Sequence, residues 1–245
     1  MDDGPDIAVT SRASAMFTIR KGTDRGKTNI GWLKSWHSFS FGDYFDPANH
    51  HYRSLRVIND DIVAGGGGFP THPHRDMEIL TWVLSGELAH KDSMGNGSAI
   101  RPGEWQYMSA GTGVAHSEFN SSETTPVHLL QIWIVPDKKG YAPRYGQKSF
   151  ADAPVGKWTL TVSPDGADGS LAVRQDVRLN TAKVETGTKL SYEPKAGRGV
   201  WLHVATGAVD VNGQRLVGGD AVAVEGEAIE VVGVEKGEVL LFDLG

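Results

Sequence analysis

The chain has 245 residues, 39% of them apolar and 22% charged, the balance of a soluble globular protein with one large domain or two small ones. A formal net charge of −6 offers no field to attract nucleic acid or an anionic membrane, so neither is expected as a partner. There is no cysteine, which excludes disulfides and thiol nucleophiles and leaves nitrogen and oxygen to hold any metal.

Residues 1–15 open with two aspartates, contain no apolar run and read as a disordered leader rather than a secretory signal. No stretch reaches the length of a membrane span, so the cytoplasm is the expected location. Regular patterning begins at Met16-Phe17-Thr18-Ile19, with Met16 a candidate alternative start. Short β-branched and aromatic runs follow at 55–58, 79–84, 129–135, 158–162, 200–205, 221–224 and 239–242, each of strand length. Turn signals such as Asn59-Asp60-Asp61, Asn212-Gly213 and Gly218-Gly219-Asp220 separate them, and long amphipathic helical patterns are missing. The expectation is an all-β protein built as a sandwich or closed barrels.

A weak internal repeat points to two barrels. Thr81 to Leu88 leads through a turn to Arg101-Pro102-Gly103-Glu104-Trp105, and Trp201 to Val209 leads through Asn212-Gly213 to Gly218-Gly219-Asp220-Ala221. Proline and glycine interrupt the periodicity between Pro136 and Pro154. The expected division is therefore an N-terminal barrel over 16–140, a linker over 141–153 and a C-terminal barrel over 154–245. Where the first half has His72, His74 and His116, the repeat puts Glu193, Lys195 and Val232, so only the first half is expected to hold a metal.

The metal candidates fall in two clusters, His72-Pro73-His74 and His116-Ser117-Glu118. Alternate side chains of a strand share a face, so each cluster aims both of its members one way, and two adjacent strands offer three imidazoles and a carboxylate to one ion. That donor set suits a divalent first-row metal with open positions. Glu78 is a rival carboxylate, of the right parity to face inward with His74; otherwise it is expected to accept a hydrogen bond from a ligating imidazole. Among the other histidines, His37 reads as aromatic-packed and His50-His51 as solvated loop. His128 and Gln131 lie on opposite strand faces, so at most one sees a cavity. Gly65 to Gly68 lacks the Gly-Lys-Ser/Thr of a phosphate loop and reads as a bend.

The words Gly66 to Glu78, with His72-Pro73-His74 five residues after Gly67, and Gly113-Val114-Ala115-His116-Ser117-Glu118-Phe119-Asn120 resemble the two cupin motifs. Longer words, Trp36-His37-Ser38-Phe39-Ser40-Phe41, Leu55 to Asp61, His72 to Glu78 and Ala110 to Glu118, are similar to the pirin branch of the two-barrel cupins. The resemblance runs from Met16 nearly to the end, strong in the first half and diffuse in the second. It implies jelly-roll barrels with iron in the N-terminal one, held by His72, His74, His116 and Glu118. It also implies a dioxygenase that uses Fe(2+) to cleave quercetin or a related flavonol with release of carbon monoxide; at such an ion Glu118, swinging partly free, is expected to take the flavonol proton as general base. Manganese, nickel, cobalt, copper or zinc also fit the donors. The partners expected are the flavonol and dioxygen, with the chain a monomer. The alternative is an iron-binding regulatory protein acting through a protein partner.

Overall fold

The computed structural model describes residues 16–245, so the expected leader lies outside the described residues. Every run expected above falls on a strand, but 55–58, 200–205 and 239–242 are parts of the longer strands Leu55–Val63, Gly199–Val211 and Ile229–Leu244, and Asn59-Asp60-Asp61, expected as a turn, continues the first of these. Among the described residues two three-residue 3-10 turns are the only helical elements. None of the helices is long and apolar enough to cross a membrane.

The first half is built on two sheets. A seven-stranded sheet contains Leu55–Val63, Glu78–Ser85, Glu104–Ser109 and Val127–Ile134. A four-stranded sheet orders Gly68–His74, Val114–Asn120, Leu88–Asp92 and Gly97–Ile100. Strand alternation divides the larger sheet into two faces. Ile58, Leu80, Trp82, Leu130 and Ile132 point outward into a core shared with the second half. Asn59, Asp61, Ile79, Gln131 and Trp133 point inward, toward the smaller sheet.

The same period organises the second half, a nine-stranded sheet that includes Val177–Val184, Gly199–Val211, Ala221–Glu225 and Ile229–Leu244. Trp201, Ala221, Ala223, Leu240 and Phe242 enter the shared core, while Val200, Leu202, Val204, Val222, Val224 and Leu241 fill the interior of the second half. Phe39 stacks across the junction on Trp201 at 4.9 Å. The interior of the second half is occupied by aliphatic side chains, and Glu193 and Lys195 are exposed.

Two boundaries differ from those expected. Met16–Arg20 pairs antiparallel with Ala221–Glu225, so the first described strand completes the sheet of the second half rather than opening the first. Its Phe17 and Ile19 pack on the aliphatic interior there. Within the expected linker, Arg144–Ser149 is a strand paired with Glu104–Ser109 at the edge of the seven-stranded sheet.

Candidate metal centre

Gly68–His74 carries prolines at 70 and 73, which an edge strand tolerates because its outer N–H groups need no partner. It pairs antiparallel with Val114–Asn120, which sets His72 directly opposite His116 and His74 opposite Val114. The rings of His72, His74 and His116 have centroids 4.5 to 4.8 Å apart, and one nitrogen from each lies within 4.8 Å of the others. The strand parity read from His-x-His therefore brings all three imidazoles together.

Their hydrogen bonds fix which nitrogen is free. His72 Nδ1 lies 2.8 Å from the Pro70 carbonyl and donates to it, which leaves Nε2 with its lone pair toward the cluster. Both ring nitrogens of His116 are buried without a partner. Burial, then the neighbouring imidazoles, push His74 down to about 4 and His116 down to about 3. Both are thus neutral near pH 7 and able to donate lone pairs. Neutral imidazoles, with both nitrogens of His116 buried and unpartnered, fit a divalent ion.

Glu118 shares the face of His116, with a register shift between them, and is 2% exposed. Gln131 Nε2 donates to its Oε2 at 3.0 Å and its Oε1 at 3.3 Å, and Thr81 Oγ1 donates to Oε1 at 3.4 Å. Its carboxylate groups with His116 and His90, again within 4.8 Å, so His116 joins this set to the histidine trio. His72, His74, His116, Glu118 and Gln131 line one cavity, whose other walls include Phe41, Phe69, Ile79 and Trp133.

Glu78 departs from both of its expected roles. Asp76 takes a left-handed conformation, φ 49°, in the turn between the strands and resets the alternation. Ile79 then faces the cavity while Glu78 faces the second half. Its carboxylate accepts hydrogen bonds from the Tyr107 hydroxyl, from Ser109 Oγ at 2.6 Å and from the backbone N–H of Arg174 at 3.0 Å. It ties the two halves together and receives no imidazole N–H.

Two further residues, His37 and Asp61, line the cavity, and His90 stands beside His116 and Glu118. His90, on the strand beyond Glu118, was legible only as the alternation His90-Lys91-Asp92, the same same-face spacing as His72 and His74. His37 packs between Phe41 and Tyr44 as expected, yet it also reaches the cavity wall, bonded to Asn59 Oδ1 at 2.7 Å and Thr28 Oγ1 at 2.8 Å. Asp61 is fully enclosed, one carboxylate oxygen has no partner, and burial followed by repulsion from Asp60 and Glu118 pushes it up to about 7 despite Ser35. His128 turns away and meets Asp60 at 2.6 Å, leaving Gln131 as the member of that pair at the site. His50 and His51 are exposed.

Two barrels, with three imidazoles and a buried carboxylate opening on an apolar cavity in the first, define a two-barrel cupin built to hold a metal. Family profiles described as Pirin and as Quercetinase C-terminal cupin domain match residues 18–134 and 160–244. The chain belongs to the pirin family. It is 48% identical over 230 residues to the quercetin 2,3-dioxygenase of Escherichia coli K12, covering 94% of this chain and 99% of that one. It is 41% identical over 230 residues to a pirin-like protein of Caulobacter vibrioides, covering 91% and 98%. The crystal structure of the bacterial pirin YhhW from Escherichia coli in complex with nickel(II) superposes with a TM-score of 0.89 at 47% identity, covering 94% and 99%.

Proposed function

We propose that the protein is a metal-dependent dioxygenase that cleaves quercetin or a related flavonol with release of carbon monoxide, and that its working ion is Fe(2+). The observation that carries the reading is the convergence of His72, His74 and His116, one nitrogen of each within 4.8 Å of the others, beside Glu118 on an aromatic-lined cavity. A full-length relative at 48% identity named quercetin 2,3-dioxygenase supports it.

His72, His74, His116 and Glu118 are the residues that would hold the ion, and the aliphatic interior of the second half contributes none. When bound, the ion supplies Lewis acidity that lowers the pKa of a coordinated hydroxyl. Glu118 is placed to take the proton of the flavonol 3-hydroxyl, with Gln131 and Thr81 steadying the carboxylate through the transfer. Phe41, Phe69 and Trp133 give flat apolar walls for the flavonol rings and exclude water. The regulatory alternative calls for an apolar docking patch. The cavity that reaches the candidate ligands favours catalysis.

The test is direct detection of carbon monoxide from iron-loaded protein, quercetin and air, since loss of colour also follows autoxidation. One carbon monoxide per quercetin is expected, with none from metal-free protein or from a flavone lacking the 3-hydroxyl. Carbon monoxide at the no-protein background under full iron loading would overturn the proposal.

A further inference from the structure

His90 is 3% exposed and carries no role in the reading above. Its strand lies on the far side of Val114–Asn120 from His72 and His74, and the ladder sets His90 opposite Glu118 and Asp92 opposite His116. Asp92 is itself fixed: Oδ1 accepts the backbone N–H groups of Met94 at 2.9 Å and Asn96 at 3.0 Å, and the Asn96 side chain donates to both oxygens. The remaining capacity of Oδ2 faces His90 Nε2 at 3.2 Å. Tyr145 stacks on the imidazole at 5.2 Å and holds its plane.

With its proton directed to Asp92, the His90 ring presents Nδ1 as an acceptor, and this atom is buried without a partner. The adjacent ring that also lacks partners is His116, 5.4 Å away between centroids. A ligating imidazole normally gives its second N–H to an acceptor that fixes its tautomer and ring angle. His72 finds that acceptor in the Pro70 carbonyl; His116 has no carbonyl or carboxylate bonded to it.

We propose that His90, held by Asp92, is the positioning residue of the metal centre: it accepts the free N–H of His116 and so determines which His116 nitrogen meets the ion. This rests on His116 being a ligand. The chain Asp92–His90–His116 then does for a central strand what a backbone carbonyl does for the edge strand, where the sheet leaves no carbonyl free to turn inward.

Co(2+) is the probe, with affinity measured by competition against a chromogenic chelator and the visible spectrum recorded for each variant. His90→Ala should weaken Co(2+) about 10–100-fold and shift the spectrum, the usual cost of losing such a partner. His90→Asn, whose amide oxygen takes the place of Nδ1, should restore affinity to within about threefold of the parent by keeping the acceptor. Asp92→Asn should weaken binding several-fold, and it tests the chain should His90→Ala not fold. Parent affinity and spectrum in both His90→Ala and Asp92→Asn would overturn the proposal. So would equal weakening in His90→Ala and His90→Asn, because that marks His90 as a ligand in its own right. His116→Ala separates the two readings: full Co(2+) binding there sinks the ligand assignment itself, whereas loss there with parent behaviour in His90→Ala sinks this inference alone.

Discussion

Glu118 and Glu78 are both buried carboxylates, and their partners give them different work. Glu118 faces the histidines and is steadied by Gln131 and Thr81. Glu78 is consumed by Tyr107, Ser109 and the Arg174 N–H. Glu118→Gln should therefore lower metal affinity at least tenfold with little change in the melting of metal-free protein. Glu78→Gln should leave affinity within about threefold and cost about 1–3 kcal/mol of stability, the price of a weakened buried network. Chelator competition and thermal melting on both variants check the pair, and a reversal would return Glu78 to the ligand set. Asp61 adds a pH signature. Its folded pKa of about 7 lies above the ordinary 3.8, so the folded state holds a proton that the unfolded chain releases. Stability is lost as pH rises from about 4 to 7 and stays lost above that. Asp61→Asn should thus stabilise metal-free protein by up to about 4 kcal/mol at pH 8, with the gain vanishing near pH 4. Denaturant melts at both pH values decide it. The His-x-His parity was legible because a strand's period is two. Glu78 was misread because the left-handed turn at Asp76, which flips the parity, leaves no mark in a sequence where aspartate is ordinary.

Elements were legible where an apolar alternation declared them and obscure where pairing alone makes the strand. Ile79, Val83 and Leu129 announce themselves; Arg144–Ser149, with tyrosine its only large apolar residue, is a strand because its backbone completes the ladder with Glu104–Ser109. Met16–Arg20 was visible as a strand, but a strand's pattern does not name its partner, and the chain crosses to the other half before entering the first barrel. The segment after it is fastened on both sides. Lys21 Nζ and the Gly22 N–H bind Asp220 at 3.0 and 2.7 Å, and Arg25 reaches Asp60 through both terminal nitrogens at 3.1 Å. Phe17→Ala should accordingly cost about 1–3 kcal/mol, since Phe17 is partly buried, while metal affinity stays at the parent value. A melt unchanged from the parent would show that this strand docks without contributing stability.

At the scale of the whole molecule the two halves share one core, with Trp82, Trp105 and Leu130 from the first packed together with Trp201, Leu240 and Phe242 from the second. A shared core makes separate unfolding of either half costly, so denaturant melts should show a single transition by tryptophan fluorescence and by circular dichroism. At this junction lies His203, fully buried, both ring nitrogens without partners. Burial, then the Arg25 guanidinium, push it down to about 4. Depressed below the ordinary 6.5, it is neutral in the folded protein while the unfolded chain takes up a proton. Stability is therefore whole above about 6.5 and is lost as pH falls toward 4. His37, His74 and His116 are depressed as well and add to the same slope. Replacing His203 with an apolar residue removes one proton from that linkage and relieves two unpaired nitrogens. His203→Leu should keep parent stability at pH 7 to within about 1–2 kcal/mol, the balance of a small cavity against the relieved polar atoms. Between pH 6 and 4.5 its stability should fall less steeply, by up to about 1.4 kcal/mol per pH unit. Urea unfolding at intervals of half a pH unit measures the slope for both proteins, metal removed from each. Parallel slopes would mean that His203 finds a proton partner in the folded state, most directly Asp60 or Asp220, and that the junction between the halves does not drive acid unfolding.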